Sequence, residues 1–264
     1  MSKKPKSAKP RKADLPTSQV QEFRSLLAEA LEKEDAVGRK WANAKWGIYA
    51  FFDYDGEPIY VGQTNEQLRV RIGRHLTNQR TDAVAMRVLD IFEVAEMRLW
   101  PLWDLEATPS RKKDAGQFDM AKAMLDAAEY TAYLDAIRRS RFKAILNEKI
   151  PPVSKAILLP PCETFVLVSE ATRRNLGHPD TRIARRADTI SRLAAVVHER
   201  GEVSDGLRRV LVIQAVRLAY LTASRLAHAE GKPAPEASSI DMDRLIGSVL
   251  AEYDDQDEAE ANAS

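Results

Sequence analysis

The sequence predicts an α+β fold, in which a small domain with a three-stranded antiparallel sheet flanked by helices precedes a mainly helical C-terminal region. Two short runs rich in aromatic and β-branched residues are separated by Asp55-Gly56, and this pattern predicts a β-hairpin. The segments that follow repeat apolar residues at helical spacing. Hydrophobic residues make up 44% of the 264 residues, which is enough for a packed core.

The expected elements of the first domain begin with a helix over 17–36. Thr17 or Ser18 can cap this helix, and Phe23 and Leu27 belong to its apolar stripe. The pattern then predicts strands over 48–54, 59–61 and 95–103, a helix over 66–76, a loop over 105–117 and a long helix over 118–141.

Two proline pairs, Pro151-Pro152 and Pro160-Pro161, bracket a connector, because proline disfavours helix interiors and restricts the residue before it. Beyond the connector, amphipathic patterns predict helices over 180–199, 203–228 and 238–252. The resulting organisation is a disordered basic tail over 1–16, a first domain with its N-terminal helix over 17–155, a helical C-terminal region over 162–252 and an acidic tail over 253–264.

The charge of the chain is concentrated at its ends. Residues 1–12 contain six bases and no acid, and the last fourteen residues contain six acids and no base. A basic arm can bind phosphates by releasing counterions, and a solubilising tail explains the same composition equally well. The formal net charge of +1 argues neither for nor against a nucleic-acid partner.

The chain has a single cysteine, Cys162, so an internal disulfide and a cysteine cluster for zinc are both excluded. The N-terminus lacks the apolar segment of a signal peptide. The longest apolar stretches, such as 210–221, are interrupted by Gln214 and Arg217 and fall short of a membrane span. We therefore expect a cytoplasmic protein without a membrane partner.

The hairpin register places two tyrosines on one face of the sheet. If Asp55 and Gly56 form the loop, then Tyr49 pairs with Gly62, and Tyr60 lies diagonally across from Tyr49 on the same face. Gly62 is expected to leave room for a ligand or for backbone. The same register pairs Tyr54 with Glu57 and Phe51 with Tyr60, and it places Ile48, Ala50, Phe52, Ile59 and Val61 on the opposite, apolar face.

The predicted helix after the hairpin adds positive charge beside the tyrosines. Arg71 and His75 are four residues apart, so they project from one helix face, and Arg74 lies next to them. A guanidinium matches phosphate oxygens, and a histidine can accept or pass on a proton. Two tyrosines, an arginine and a histidine on one patch therefore indicate a phosphodiester site.

The ordered segments Gly47-Ile48-Tyr49 and Tyr60-Val61-Gly62, followed by Arg71 and His75, resemble the GIY…YIG…R-x-x-x-H signature of the GIY-YIG endonucleases. The resemblance covers roughly 47–150 and implies a small GIY-YIG-type domain that cuts DNA with the help of a divalent cation. The family's metal-binding glutamate and later asparagine are best matched by Glu129 and Asn147. Substrate-binding or structural roles fall to Gly47, Gly62, Arg74 and Asn147.

Two spacings depart from the family pattern and leave alternatives open. The interval between Tyr60 and Arg71 is one residue longer than usual, so Arg69 or Arg74 competes for the arginine role. The interval between Glu129 and Asn147 is also long. Glu129 is preferred for its small alanine neighbours and longer reach, and the rival metal ligands are Asp126 and Asp135.

The resemblance implies a role for each catalytic residue. Glu129 would hold magnesium, with manganese as an alternative, while Tyr49 would act as general base or orient the water. Arg71 would stabilise the phosphoryl group, Tyr60 would position water or phosphate, and His75 would pass on a proton. The competing hypothesis is a catalytically inactive module of this fold that binds nucleic acid or a protein.

Overall fold

The computed structural model describes residues 15–77 and 90–247, and a four-stranded antiparallel sheet forms its centre. The strands are β1 (Gly47–Phe52), β2 (Pro58–Thr64), β3 (Glu96–Pro101) and β4 (Glu163–Val166), in the order β2-β1-β3-β4. The predicted α+β class is confirmed, but the predicted number of three strands is wrong. The fourth strand comes from the segment after Cys162 that was expected to be mainly helical, and it pairs with β3. Most of the predicted basic tail and the whole acidic tail lie outside the described residues.

The predicted helices over 17–36, 66–76, 118–141, 180–199 and 203–228 are confirmed with small shifts at their ends. The helix Glu170–Leu176 was not predicted, and residues 248–252 of the predicted helix over 238–252 lie outside the described residues. The α-helices of the described residues are α1 (Ser18–Glu32), α2 (Leu68–Leu76), α3 (Ala115–Arg139), α4 (Glu170–Leu176), α5 (Pro179–Arg200), α6 (Asp205–Ala229) and α7 (Met242–Ile246). Short 3₁₀ turns occur at Trp41–Asn43, Ile91–Glu93, Trp103–Leu105 and Ala237–Ser239. The long helix α3 begins three residues earlier than expected, because the Asp114 carboxylate accepts a hydrogen bond from the Gln117 N–H and caps it.

The hairpin between β1 and β2 has the predicted register near the tyrosines and a different turn. Tyr49 pairs with Gly62 as expected, but the register shifts after Phe51, so Phe52 pairs with Pro58. The predicted pair of Tyr54 and Glu57 is therefore wrong. The Asp53 carboxylate accepts hydrogen bonds from the N–H groups of Asp55 and Glu57 and closes the turn instead. Because of this bulge, Ile59 packs with the tyrosine face of the sheet and not with the opposite face.

Each face of the sheet is covered by a separate hydrophobic core. The face that carries Tyr49 packs against α1, α2, α5 and α6. The helices contribute Phe23, Leu27, Ile72, Leu193 and Ile213 to this core. The opposite face packs against α3 and includes Ile48, Ala50, Phe52, Val61, Leu125 and Tyr133. The edge strand β2 thus lies between α2 on one side and α3 on the other.

Buried ion pairs join the C-terminal helices to the hairpin turn. Arg182 Nη2 lies 2.9 Å from Asp53 Oδ2, and Arg186 Nη2 lies 3.1 Å from Glu93 Oε2. Arg217 donates to the carbonyl oxygens of Pro58 and Ala144, at 3.1 and 3.0 Å, and its Nη2 lies 3.6 Å from Glu57 Oε2. We call this set the arginine cluster; its members are Arg182, Arg186, Arg217, Asp53, Glu57 and Glu93.

The predicted domain boundary between residues 155 and 162 stays a prediction. The segments before and after it share the buried ion pairs of the arginine cluster.

Helix α6 is long and apolar enough, by length and composition, to cross a membrane, contrary to the expectation based on Gln214 and Arg217. Both side chains are buried within the protein, and Arg186 donates a hydrogen bond of 2.9 Å to Gln214 Oε1. One such helix among the described residues is weak evidence, because the core helix of a soluble protein passes the same test.

Candidate nuclease site

The centre of the site is the buried hydroxyl of Tyr49. Tyr49 Oη lies 3.0 Å from His75 Nε2, and Arg71 Nε donates a hydrogen bond of 3.3 Å to the same oxygen. Helix α2 buries Leu68, Ile72 and Leu76 against the sheet, so the intervening positions 71 and 75 lie one turn apart beside β1. The structure thus brings together the arginine and histidine that helical spacing predicted.

Tyr60 completes a ring cluster on the same face of the sheet. Its ring centroid lies 5.9 Å from that of Tyr49 and 5.3 Å from that of His75. Tyr49 is fully buried, whereas Tyr60 is partly exposed. The predicted placement of both tyrosines on one face is confirmed by the strand register and by these contacts.

Burial controls the protonation of the two groups at the centre. It raises the pKa of Tyr49 well above 10, and the neighbouring Tyr60 adds to the rise while Arg71 opposes it. Burial also disfavours the charged form of Arg71, but attraction to Tyr49 and Tyr60 outweighs this and raises its pKa. Tyr49 is therefore a neutral phenol at neutral pH, and Arg71 is a permanent cation.

Two glycines fit the site for reasons of packing. A Cβ at Gly62 would lie 2.7 Å from Tyr49 Oη and 2.6 Å from Tyr60 Cε1. The space predicted for a ligand or backbone is therefore filled by the tyrosine rings. At Gly47 a Cβ would lie 2.9 Å from both Trp100 O and Leu68 Cδ1, so glycine lets β1 approach β3 and α2 closely.

The rival arginines point to other partners. Arg69 Nη2 donates to Leu31 O at 2.9 Å and to Glu32 at 2.7 Å, so its guanidinium is held by α1. Arg74 forms an ion pair with Glu66, which precedes α2. Arg71 is therefore the arginine that contacts Tyr49.

A second group of polar side chains lies where α3 faces β2. Glu129 Oε2 accepts a hydrogen bond of 2.7 Å from Gln63 Nε2, and Asp126 Oδ1 accepts one of 2.5 Å from the same nitrogen. Lys122 Nζ donates to Gln63 Oε1 at 3.0 Å and to Asp126 Oδ1 at 2.5 Å. Sequence reasoning missed Gln63 and Lys122, although Lys122 lies at helical spacing from Asp126.

The rival ligand Asp135 is not part of this group. Its carboxylate pairs with Arg139 one turn further along α3, at 2.7 Å. Six residues separate it from Glu129, and this spacing places the two side chains on different faces of the helix. Of the three candidate ligands, Glu129 and Asp126 are the ones that lie together near β2.

The two groups lie on opposite faces of the edge strand. Tyr60 projects toward α2, and Gln63 projects toward α3, because side chains alternate along β2. Burial raises the pKa of Glu129 to about 7; the hydrogen bond from Gln63 and the charges of Lys122 and Arg71 oppose this rise without cancelling it. The charge of Arg71 is the smallest of these influences on the pKa of Glu129, and it acts from the opposite face of the strand.

The carboxylates of α3 fit a hard divalent cation. Within 15–77 and 90–247, no group of three or more histidine, cysteine, aspartate or glutamate side chains could hold a metal ion. Magnesium in proteins is commonly held by one or two carboxylates, and water and substrate phosphates complete its shell. A partly buried Glu129 with Asp126 beside it supplies this kind of incomplete set, and manganese accepts the same oxygen ligands.

Asn147 contacts the backbone of β2. Its Oδ1 accepts from Val61 N at 2.9 Å, and its Nδ2 donates to Val61 O at 2.8 Å. The side-chain amide thus satisfies both backbone groups that β2 directs away from β1, in the way a further strand would. Since Val61 lies between Tyr60 and Gly62, Asn147 fixes the strand at the site.

One comparison with known proteins finds a match at this site. Residues 45–101 match the family model described as the GIY-YIG catalytic domain. This range contains β1, β2, α2 and β3, with the tyrosines, Arg71 and His75, and it ends before α3. No curated protein and no solved structure matches the chain.

Proposed function

We propose that this chain is a metal-dependent DNA endonuclease, because residues 45–101 match the model of the GIY-YIG catalytic domain, a domain of nuclease type. The observation that carries the proposal is the contact of Tyr49 with both Arg71 and His75, together with Glu129 on the other side of the same strand. Hydrolysis of a phosphodiester requires an activated water, a stabilised phosphoryl group and a route for the proton. This arrangement provides a group for each requirement.

Arg71 stabilises the phosphoryl group in the transition state. Its guanidinium keeps its charge in this half-buried position, because its pKa lies above the ordinary value for arginine despite the burial. Charge that develops on phosphate oxygens is stabilised most effectively by a donor held in place before the reaction. The contact with Tyr49 holds Arg71 in this way.

Tyr49 transfers a proton and does not rest as a phenolate. Its raised pKa keeps the hydroxyl neutral, and Arg71 donates to its oxygen. The hydroxyl proton is then directed at His75 Nε2, 3.0 Å away. In this tautomer the phenol oxygen accepts a proton from the attacking water while its own proton moves to the imidazole.

Glu129 would hold the metal ion; when bound, the ion would neutralise charge at the phosphate and favour loss of a proton from the attacking water. The position of this carboxylate on α3 lets it approach the edge strand from the face opposite Tyr49. Tyr60, partly exposed beside Tyr49, positions the water or the phosphate.

DNA is the substrate we propose, and the cytoplasm is the proposed location. The inactive-module alternative has no observation in its favour. It predicts DNA binding without strand cleavage, so one assay separates the two functions.

The test is cleavage of supercoiled plasmid by the purified chain, with magnesium, with manganese and with a chelator. We expect metal-dependent nicking or linearisation by the wild type and cleavage at least about 100-fold slower by Tyr49→Phe, Arg71→Ala or Glu129→Gln. Asp135→Asn is the matched control on α3, because Asp135 pairs with Arg139 away from the site.

Two results would contradict the proposed function. One is retention of full metal-dependent cleavage by all three site variants. The other is a gel shift of DNA by the wild type without any cleavage in either metal, as the inactive module predicts.

A further inference from the structure

We propose that Gln63 is a positioning residue, which fixes the Glu129 carboxylate for the cation while Lys122 and Asp126 fix the orientation of the Gln63 amide. The proposal deepens the proposed function and rests on it. It concerns a residue outside the signature segments 47–49 and 60–62 and the signature residues Arg71 and His75, and it assigns Lys122 and Asp126 to the same purpose.

The orientation of the amide follows from its neighbours. Gln63 Nε2 faces two carboxylate oxygens, Glu129 Oε2 and Asp126 Oδ1, while Gln63 Oε1 faces the ammonium of Lys122. An amide nitrogen has two N–H donors and no acceptor, and an amide oxygen accepts only. A flipped amide would set its oxygen against both carboxylates, so this network allows one orientation.

The backbone that carries Gln63 is held from both sides. On one side Gln63 is paired with Ile48 in the β1–β2 ladder. On the other, the side chain of Asn147 is bonded to Val61, two residues before Gln63 on the same face. The Gln63 side chain therefore extends toward α3 from a strand with little freedom to shift.

The amide holds Glu129 without neutralising it. Gln63 carries no net charge, and the ammonium of Lys122 is shared between Asp126 and the Gln63 oxygen. One oxygen of Glu129 is fixed by Gln63 Nε2, so the orientation of the whole carboxyl group is set. Hydrogen bonds of this kind to metal-ligating carboxylates orient the ligand before the metal binds.

Lys122 has a second feature that suits this site. Its side chain is 41% exposed, although its ammonium bonds to two partly buried groups. The ammonium lies beside Asp126 and offsets its charge, while Glu129 itself is bonded by the neutral Gln63 amide.

The test is the affinity of the purified, metal-free chain for Mn²⁺, measured by titration with detection of free Mn²⁺ by electron paramagnetic resonance. Gln63→Met keeps the length of the side chain and removes its donors, and we expect Mn²⁺ binding about 10–100-fold weaker than wild type. Cleavage by this variant should recover toward the wild-type rate at high Mn²⁺, because the catalytic groups are intact. Gln117→Leu, an exposed glutamine in the first turn of α3, is the matched control and should bind Mn²⁺ as the wild type does.

Lys122→Met is the second variant, at a position whose side chain is 41% exposed. Without the ammonium the Gln63 oxygen loses its donor, but Gln63 Nε2 still faces both carboxylates, so we expect Mn²⁺ affinity to change less than for Gln63→Met. Circular dichroism of each variant checks that the fold is retained.

The outcomes separate this proposal from the proposed function. If Glu129→Gln binds Mn²⁺ as tightly as wild type, the metal site and the function both fail. If Glu129→Gln loses binding while Gln63→Met keeps wild-type affinity, the positioning role is overturned and the function stands. Weaker binding by Gln63→Met that excess Mn²⁺ does not rescue in the cleavage assay also contradicts a positioning role.

Discussion

The arginine cluster and the candidate site both contain buried or partly buried carboxylates, but these carboxylates are compensated by positive charge to different extents. In the arginine cluster, Asp53 faces the guanidinium groups of both Arg182 and Arg186. In the site, Glu129 is bonded to the neutral amide of Gln63, and burial raises its pKa to about 7. A carboxylate that remains undercompensated in this way is a ready partner for a cation. The first arrangement joins segments of the chain, and the second preserves reactivity at some cost in stability.

Removing one cation from the arginine cluster should have the largest effect on stability. Arg182→Met leaves Asp53 and Glu93 with less compensation, and breaking a buried pair from one side costs about 3–5 kcal/mol. We expect the free energy of unfolding in urea to fall by this order. Arg192→Met, which removes an exposed pair with Asp188, is the control and should cost under about 1 kcal/mol. Equal losses in the two variants would contradict the distinction between the two kinds of pair.

Removing the guanidinium of Arg71 from the site should slow cleavage and leave the free energy of unfolding nearly unchanged. Arg71→Ala should lower the rate of cleavage by about 10²–10³-fold, the usual effect of losing one preorganised donor to the transition state. Arg74→Ala, three residues along the same helix and paired with Glu66, is the control and should cleave at close to the wild-type rate. A loss of cleavage in Arg74→Ala that matches the loss in Arg71→Ala would remove the special role of Arg71.

Asn147 is buried and neutral, and it supports the strand β2 that carries the site, so its loss should affect both stability and cleavage. Asn147→Ala leaves the N–H and the carbonyl of Val61 without these partners, which costs about 1–3 kcal/mol. We expect a lower unfolding temperature and, since Tyr60 and Gly62 flank Val61, slower cleavage at a temperature where the variant is folded. Unaltered cleavage by the folded variant would show that Asn147 contributes to stability alone.

Glu129→Gln should stabilise the metal-free protein at alkaline pH. The folded-state pKa of about 7 is above the ordinary value of 4.5, so the folded state binds the proton more tightly than the unfolded state. Stability is therefore lost as pH rises from about 4.5 to about 7, and the full penalty remains above that range. We expect Glu129→Gln to exceed wild type by on the order of 1–3 kcal/mol at pH 8 and to match it near pH 4, below both pKa values. Thermal unfolding in chelator across this range measures the difference, and Asp135→Asn should show no such trend.

Local patterns in the sequence predicted the part of the site that contains the tyrosines, the arginine and the histidine, because one hairpin and the next helix position these residues. The period of two along β1 and β2 placed Tyr49 and Tyr60 on one face, and the spacing of four along α2 placed Arg71 beside His75. Both periods are fixed by backbone geometry, so the register survives even though the turn differs. Ile59 was assigned to the wrong face, because the Asp53 carboxylate that produces the bulge acts through a local hydrogen-bond pattern that hydrophobic alternation does not show.

The contacts that sequence reasoning missed join segments far apart in the chain. Gln63 and Lys122 are 59 residues apart and meet only because α3 packs against β2. Strand β4 pairs with β3 across a connector with two proline pairs, and a run of four residues was too short to be recognised. Arg182 and Arg186 of α5 are buried against Asp53 and Glu93, which lie about 90 to 130 residues earlier in the chain, and no local pattern indicates these contacts.

The central claim is that Glu129 is an undercompensated carboxylate that binds the catalytic cation. The most direct measurement is the unfolding temperature of wild type and Glu129→Gln at pH 8, each in chelator and in saturating Mn²⁺. We predict that Glu129→Gln is the more stable protein in chelator, and that Mn²⁺ raises the unfolding temperature of the wild type but not of the variant. Equal shifts by Mn²⁺ in both proteins, or a less stable Glu129→Gln in chelator, would contradict the claim.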